Sequence, residues 1–338
     1  MSEERATPWG RIIFLAIQIV IAGALMVWIF RQPGFIESFA TAWKGIHPGW
    51  LLAGMAVAGA SVAAHVWRWW ICLRLLGISV GFARLSGVLL ASSFIGTFII
   101  GGIGGDAARV MMLTRQFPRN ASKLMVSVVA DRLCGLVSLA LPALVFTFPA
   151  RKVLSRTPVG TAALHFLWGY LVLATALFVF SIFCGTERAR QHLPKWIPGR
   201  DWMIHVSECF EMLRPSGVGL FGAIAASILM LTLHFATFWC IAKGCGAEVS
   251  LVQTHAVLPV IEAATTVPAT PGGLGMREEL FRDQLGSLCG TPAGAAVLIS
   301  LGGFLCGLLW CLAGGLAATT LLPRSFTLSK NGLSGTTP

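Results

Sequence analysis

The chain has 338 residues, 56% of them hydrophobic and 12% charged, and its mean hydropathy is +0.78. Soluble domains carry roughly 25% charged residues, so this composition excludes a water-coated globule, a disordered chain and a secreted disulfide scaffold. The net charge of +11 reads, in a chain this apolar, as loops against anionic lipid headgroups rather than as a nucleic-acid surface.

A spanning helix needs about 20 mostly apolar residues. Six stretches meet this: 12–30, 50–67, 124–149, 163–184, 218–243 and 293–322. The first follows Arg11 and has no A-x-A cleavage site before Arg31, which predicts a retained anchor rather than a removed signal peptide. After the second, Arg68 and Arg74 among Trp67, Trp69 and Trp70 read as an interfacial anchor, with rings at headgroup level and guanidiniums beyond. Two further apolar stretches differ in kind. Ser86–Gly105 ends in GGIGGD, and Leu251–Gly275 contains Pro259, Pro268, Pro271 and the run GGLG. Bare backbone is tolerated at membrane depth only inside protein or beside a wet cavity, so both are expected to be broken or re-entrant hairpins. Counting Lys and Arg supports this. Eight full crossings give no inside excess, whereas six crossings with two hairpins give 16 inside against 8 outside. Residues 185–217 form the longest polar connector, with Trp202, Val206, Cys209, Phe210 and Leu213 at helical spacing; an amphipathic interfacial helix fits. The segment 325–338 is Ser/Thr/Gly-rich and expected to be disordered.

The predicted fold is therefore an all-α polytopic membrane bundle, a single membrane domain over 1–324. Half one (about 10–150) and half two (about 163–322) each read span, span, broken hairpin, span. Three crossings per half set the halves in opposite orientation, an inverted repeat of the kind many transporters use. GGIGGDAAR at 101–109 and PGGLGMREE at 271–279 echo each other across the halves.

Charges at bilayer depth cost about 2.5–3.5 kcal/mol and are paired, inward-facing or functional. Asp106 and Arg109 follow Gly104 and Gly105 and lie one helical turn apart. They suit a local ion pair, or a cradle in which glycine amides and Arg109 hold a phosphate at a helix N-terminus. Adjacent Asp131 and Arg132 point about 100° apart on a helix, so each needs a partner on another element, Asp131 with an Arg of the first hairpin. Glu262 in an apolar run is a candidate proton or ion coupler. Arg277 and Glu278 follow Gly272, Gly273 and Gly275, with Arg277 the counterpart of Arg109; Glu279 and Arg282 suit a solvated pair. His65 and His234 read as hydrogen-bonded packing residues. The nine cysteines show no CxxC and no metal spacing; no metal, cofactor or catalytic residue is expected.

The order WRWWICLRLLG (67–77), GGDAAR (104–109), DR (131–132) and PATPGGLGMREE (268–279) resembles the lysylphosphatidylglycerol synthase transmembrane-region family, the flippase-like domain proteins, over about 10–322. The resemblance implies movement of lipids between leaflets, with relatives tied to aminoacylated phospholipids, hopanoids or polyprenyl-linked glycans. It implies roles for Gly104, Gly105, Asp106, Arg109, Asp131, Arg132, Gly272, Gly273, Gly275, Arg277 and Glu278. The aminoacyltransferase of such enzymes is a separate soluble domain, and some 15 residues after the last span are too few for one. The expected function is a lipid translocase of the bacterial inner membrane with cytoplasmic termini, whose partners are membrane lipids with an anionic headgroup. Two alternatives remain: an accessory subunit for a lipid- or glycan-modifying enzyme, and an intramembrane enzyme acting on lipid-linked phosphate.

Overall fold

The structure is a computed structural model that describes residues 8–97, 102–184, 217–266 and 270–321. The expected connector helix at 185–217 lies outside these residues but for Gly217, and the tail 325–338 lies wholly outside them. The described residues are helical with no strand. In chain order the helices are α1 (Pro8–Phe30), α2 (Phe35–Lys44), α3 (Pro48–Leu75), α4 (Phe82–Ile95), α5 (Gly102–Thr114), α6 (Ala121–Ser138), α7 (Phe148–Leu154), α8 (Pro158–Cys184), α9 (Gly217–Gly244), α10 (Leu251–Thr265), α11 (Met276–Cys289) and α12 (Ala293–Leu321). Among the described residues, five helical segments are long and apolar enough to cross a membrane, and a sixth is formed if Val20–Phe30 and Phe35–Lys44 count as one bent span. This is a polytopic helical bundle.

The two 28-residue helices α3 and α9 pack along each other at the centre, with the Ser61 hydroxyl donating to the Met230 carbonyl at 2.9 Å. Each is followed by two half-helices and another long helix: α4, α5 and the α6–α7 segment after α3, then α10, α11 and α12 after α9. The packing follows the same plan, since α4 lies on α12 while α10 lies on the stretch joining α6 to α7. That stretch holds a π-helical turn, Ala143–Thr147, between Pro142 and Pro149. Proline has no N–H for the i−4 carbonyl, and a wide turn absorbs the mismatch. The Thr147 hydroxyl in it donates to the Ala256 carbonyl of α10 at 2.8 Å.

The structure corrects two expectations and adds one feature. The second hairpin does not break at Pro259: α10 runs through that residue, and the interruption lies between Thr266 and Gly275. A proline costs a helix one hydrogen bond and a local bend, which this buried helix absorbs. The added feature follows the N-terminal anchor. The chain turns by 88° at Arg31–Gly34, where Gly34 has φ 68°, into amphipathic α2. Finally, Arg68 and Trp69 are not interfacial. Both are buried, because position along the helix, and not the Trp-rich composition, decides which of WRWW faces the core. Arg74 does stack on Trp70 at 4.4 Å.

Close approach within the first hairpin depends on a missing side chain. A Cβ on Gly105 would lie 2.7 Å from the Ser92 carbonyl oxygen and 3.2 Å from the Gly96 Cα, both backbone atoms. Gly105→Val is therefore expected to lower the stability of the purified protein by about 1–3 kcal/mol, the usual cost of overpacking. Thermal unfolding in detergent measures it, with Gly169→Ala, where a Cβ meets nothing within 4 Å, unfolding like the wild type.

Candidate functional site

α3, α5 and α6 converge on one carboxylate. Asp131 has no exposed side-chain surface, and its Oδ1 accepts from Arg68 Nε at 2.6 Å. Its Oδ2 accepts from an Arg109 guanidinium N–H at 3.1 Å and lies 3.3 Å from His65 Nε2. Arg68 also donates to the Ser227 hydroxyl of α9 at 3.2 Å, which ties this group to the second half. Arg109 bridges onward to Asp106 on its own helix and has the Trp69 ring 5.1 Å from its guanidinium carbon. The indole N–H of Trp69 in turn donates to Ser127.

Asp106 also accepts from Arg132, at 2.8 Å to Nε and 3.0 Å to a terminal nitrogen. Burial disfavours its charged form, and the hydrogen bonds from Arg109 and Arg132, which engage both of its oxygens, offset that cost. Thus Asp106, Arg109, Asp131 and Arg132, all singled out in the sequence, come together with His65 and Arg68. Three guanidiniums meet two carboxylates. Exposure divides them: Arg68 and Arg109 are buried, whereas Arg132 is 56% exposed.

The second half carries a smaller cluster. Gly272, Gly273 and Gly275 have φ of 60°, 74° and 85°, a left-handed turn that glycine adopts without strain. The Gly275 N–H donates to Glu278 Oε2 at 2.6 Å, capping α11. Arg277 donates to Glu278 Oε1 at 2.7 Å and to the Ser300 hydroxyl at 3.0 Å, while that hydroxyl donates to the same Glu278 oxygen at 2.8 Å. The Phe304 ring lies 4.2 Å from the guanidinium. Arg109 and Arg277 therefore do the same thing in the two halves: each follows a glycine run and reaches the next long helix, one at Asp131 and the other at Ser300. Gly104 and Gly105 differ from the later glycines, since they lie inside α5, where Gly105 lets α4 approach closely.

Glu262 stands on α10 and pairs with His234 of α9 at 2.9 Å. It is 35% exposed and His234 38%. Tyr170, the chain's one tyrosine, stands on α8 near enough to feel the charges of both Glu262 and Arg132. Arg282 pairs with Glu279 as expected, but Glu279 is buried rather than solvated. Sequence reasoning missed Tyr170 and Ser300, which have no motif around them, and misread Arg68.

Removing the charge of Asp131 would leave Arg68 and Arg109 buried with one carboxylate fewer. Breaking such a set costs about 3–5 kcal/mol. Asp131→Asn is expected to lose that much stability in detergent unfolding, and Glu279→Gln, whose partner Arg282 is part-exposed, clearly less.

The sequence matches the family model described as "Lysylphosphatidylglycerol synthase TM region" over residues 15–315. A comparison with curated proteins finds no match. With nearly the whole chain covered, and with a polytopic helical bundle in keeping with a membrane region, this protein belongs to the lysylphosphatidylglycerol synthase transmembrane-region family.

Proposed function

We propose that this protein is a lipid translocase, not an enzyme, which moves a lipid with an anionic headgroup between the leaflets of a bacterial inner membrane. The observation that carries this reading is Arg132. A guanidinium on an apolar spanning helix, 56% exposed, is costly against hydrocarbon and needs water or an anion beside it. It belongs to a cluster with one guanidinium more than carboxylates, and the planar fork of Arg binds phosphate bidentately. Buried, saturated Arg109 and Arg277 then hold the half-helices in place, and Arg132 presents the accessible charge. Phospholipid, polyprenyl-phosphate and hopanoid-type lipids all suit such a site if their headgroup is anionic.

The surroundings favour a lipid. Beside α6 and α8 runs an open groove of about 790 Å³, lined by Leu144, Trp168, Leu171, Val172 and Val179 among other apolar residues. An acyl or prenyl chain can lie there while the headgroup stays at Arg132, near Tyr170. The twice-repeated helix order supports reading the halves as an inverted repeat, and rocking of one against the other is the motion such repeats support. The Lys/Arg excess in segments 68–123 and 185–217 favours cytoplasmic termini.

Proteoliposomes carrying a fluorescent anionic phospholipid test the proposal by bleaching of the outer leaflet. Wild type should speed transbilayer movement over protein-free vesicles. A lost charge-assisted contact is worth about 1.5–3 kcal/mol, so Arg132→Gln should slow movement about 10- to 100-fold with unfolding temperature little changed. Movement equal in wild type and Arg132→Gln would reject the headgroup site. A lipid analogue altered covalently by the protein would reject the translocase reading in favour of an enzyme.

A further inference from the structure

His65 and His234 each stand eighteenth in their 28-residue helices, α3 and α9, and each meets a carboxylate. The two pairs are chemically unlike. Asp131, beside His65, is clamped by Arg68 and Arg109, permanent cations that hold it ionised and leave it no vacancy for a proton. Glu262 is hydrogen-bonded to His234 alone of the charged groups that face it. The nearby guanidinium of Arg277 is engaged by Glu278 and Ser300. From α8 Tyr170 approaches, and the π turn presents only the Thr147 hydroxyl, bonded to Ala256. Imidazole is the side chain whose ordinary charge change falls near neutral pH, and a carboxylate in contact with it can share its proton. Here they are in direct contact, with roughly a third of each left uncovered by protein although α10 is packed on several sides.

We propose that His234 and Glu262 together form the proton-binding site through which lipid movement draws on the transmembrane proton gradient; this rests on the translocase reading. With the cleft open to one side, a Glu262 carboxylate and a neutral His234 take one proton from water, and the pair becomes net neutral. A neutral pair crosses the occluded state without the cost of a bare charge at bilayer depth. With the cleft open to the other side the same proton returns to water. One proton is bound and one released in each cycle, and no other bond changes. His65 cannot substitute, since Arg68 and Arg109 already neutralise its carboxylate partner.

The test uses the same proteoliposomes with and without an imposed pH gradient, adding a protonophore to collapse it. Wild type should move the anionic probe several-fold faster in one gradient direction, and the protonophore should abolish the gain. Glu262→Gln and His234→Gln should retain the ungraded rate but lose the response, while Glu262→Asp, which keeps the carboxylate, should retain part of it. A folded Glu262→Gln protein, judged by unwidened gel filtration and an unshifted melt, that still responds to the gradient overturns the proposal. So does a wild type whose movement ignores the gradient, and in that case the translocase reading stands. A wild type that moves no lipid under any gradient overturns the translocase reading, and the coupling with it.

Discussion

A carboxylate withdrawn completely from solvent has to be matched on the spot, and the bundle is arranged around one such group. Asp131 draws Arg68 from α3 and Arg109 from α5 onto a single point of α6. Those three helices belong to different pieces of the first half, and the second bond of Arg68 to Ser227 reaches the other half. The desolvation cost of these ions is large, and mutual attraction repays it only with near-complete hydrogen bonding. Almost every polar atom of the set has a partner. What the cluster supplies is less stability than uniqueness of arrangement: a half-helix can end at membrane depth because its first turns are nailed to a charge.

The second half solves the same problem with less charge. Arg277 finds its anion one residue away in Glu278, and Ser300 merely completes the bonds. The consequence is asymmetry between matching positions. The first half holds a surplus cation and leaves it open at Arg132. The second holds a balanced, closed trio and leaves open instead a histidine and a glutamate. Tyr170 feels the charge at both of these open places. On the proposed reading, the anion and the proton are handled at separate points of the bundle.

Much of this was legible in the residues. Glycine runs beside long apolar stretches marked both interruptions, and an Asp at the heart of a span demanded a basic partner, which Arg109 supplies. Other features carried signals that pointed two ways. WRWW has the composition of a headgroup belt, and only the rotation of α3 sends Arg68 and Trp69 inward while Trp67 and Trp70 stay at the margin. Pro259 has the chemistry of a helix breaker, yet tertiary packing keeps α10 intact around it. The bend after Phe30 did have a local cue in Pro33-Gly34, outweighed by the length of the apolar run before it. Ser300 and Tyr170 had none: a hydroxyl in a hydrophobic helix is ordinary until its neighbours are known.

The tight turn at Gly275 lies against α1, where an added Cβ would meet the Leu25 side chain at 2.7 Å and the Ala22 carbonyl at 3.2 Å. About 250 residues separate the two surfaces. A ribosome making roughly 5–20 residues per second needs about 10–50 s to span that interval. α1 thus waits in the bilayer for α11, its docking face wet with lipid in the meantime, and this contact can close only once everything between the two has been made.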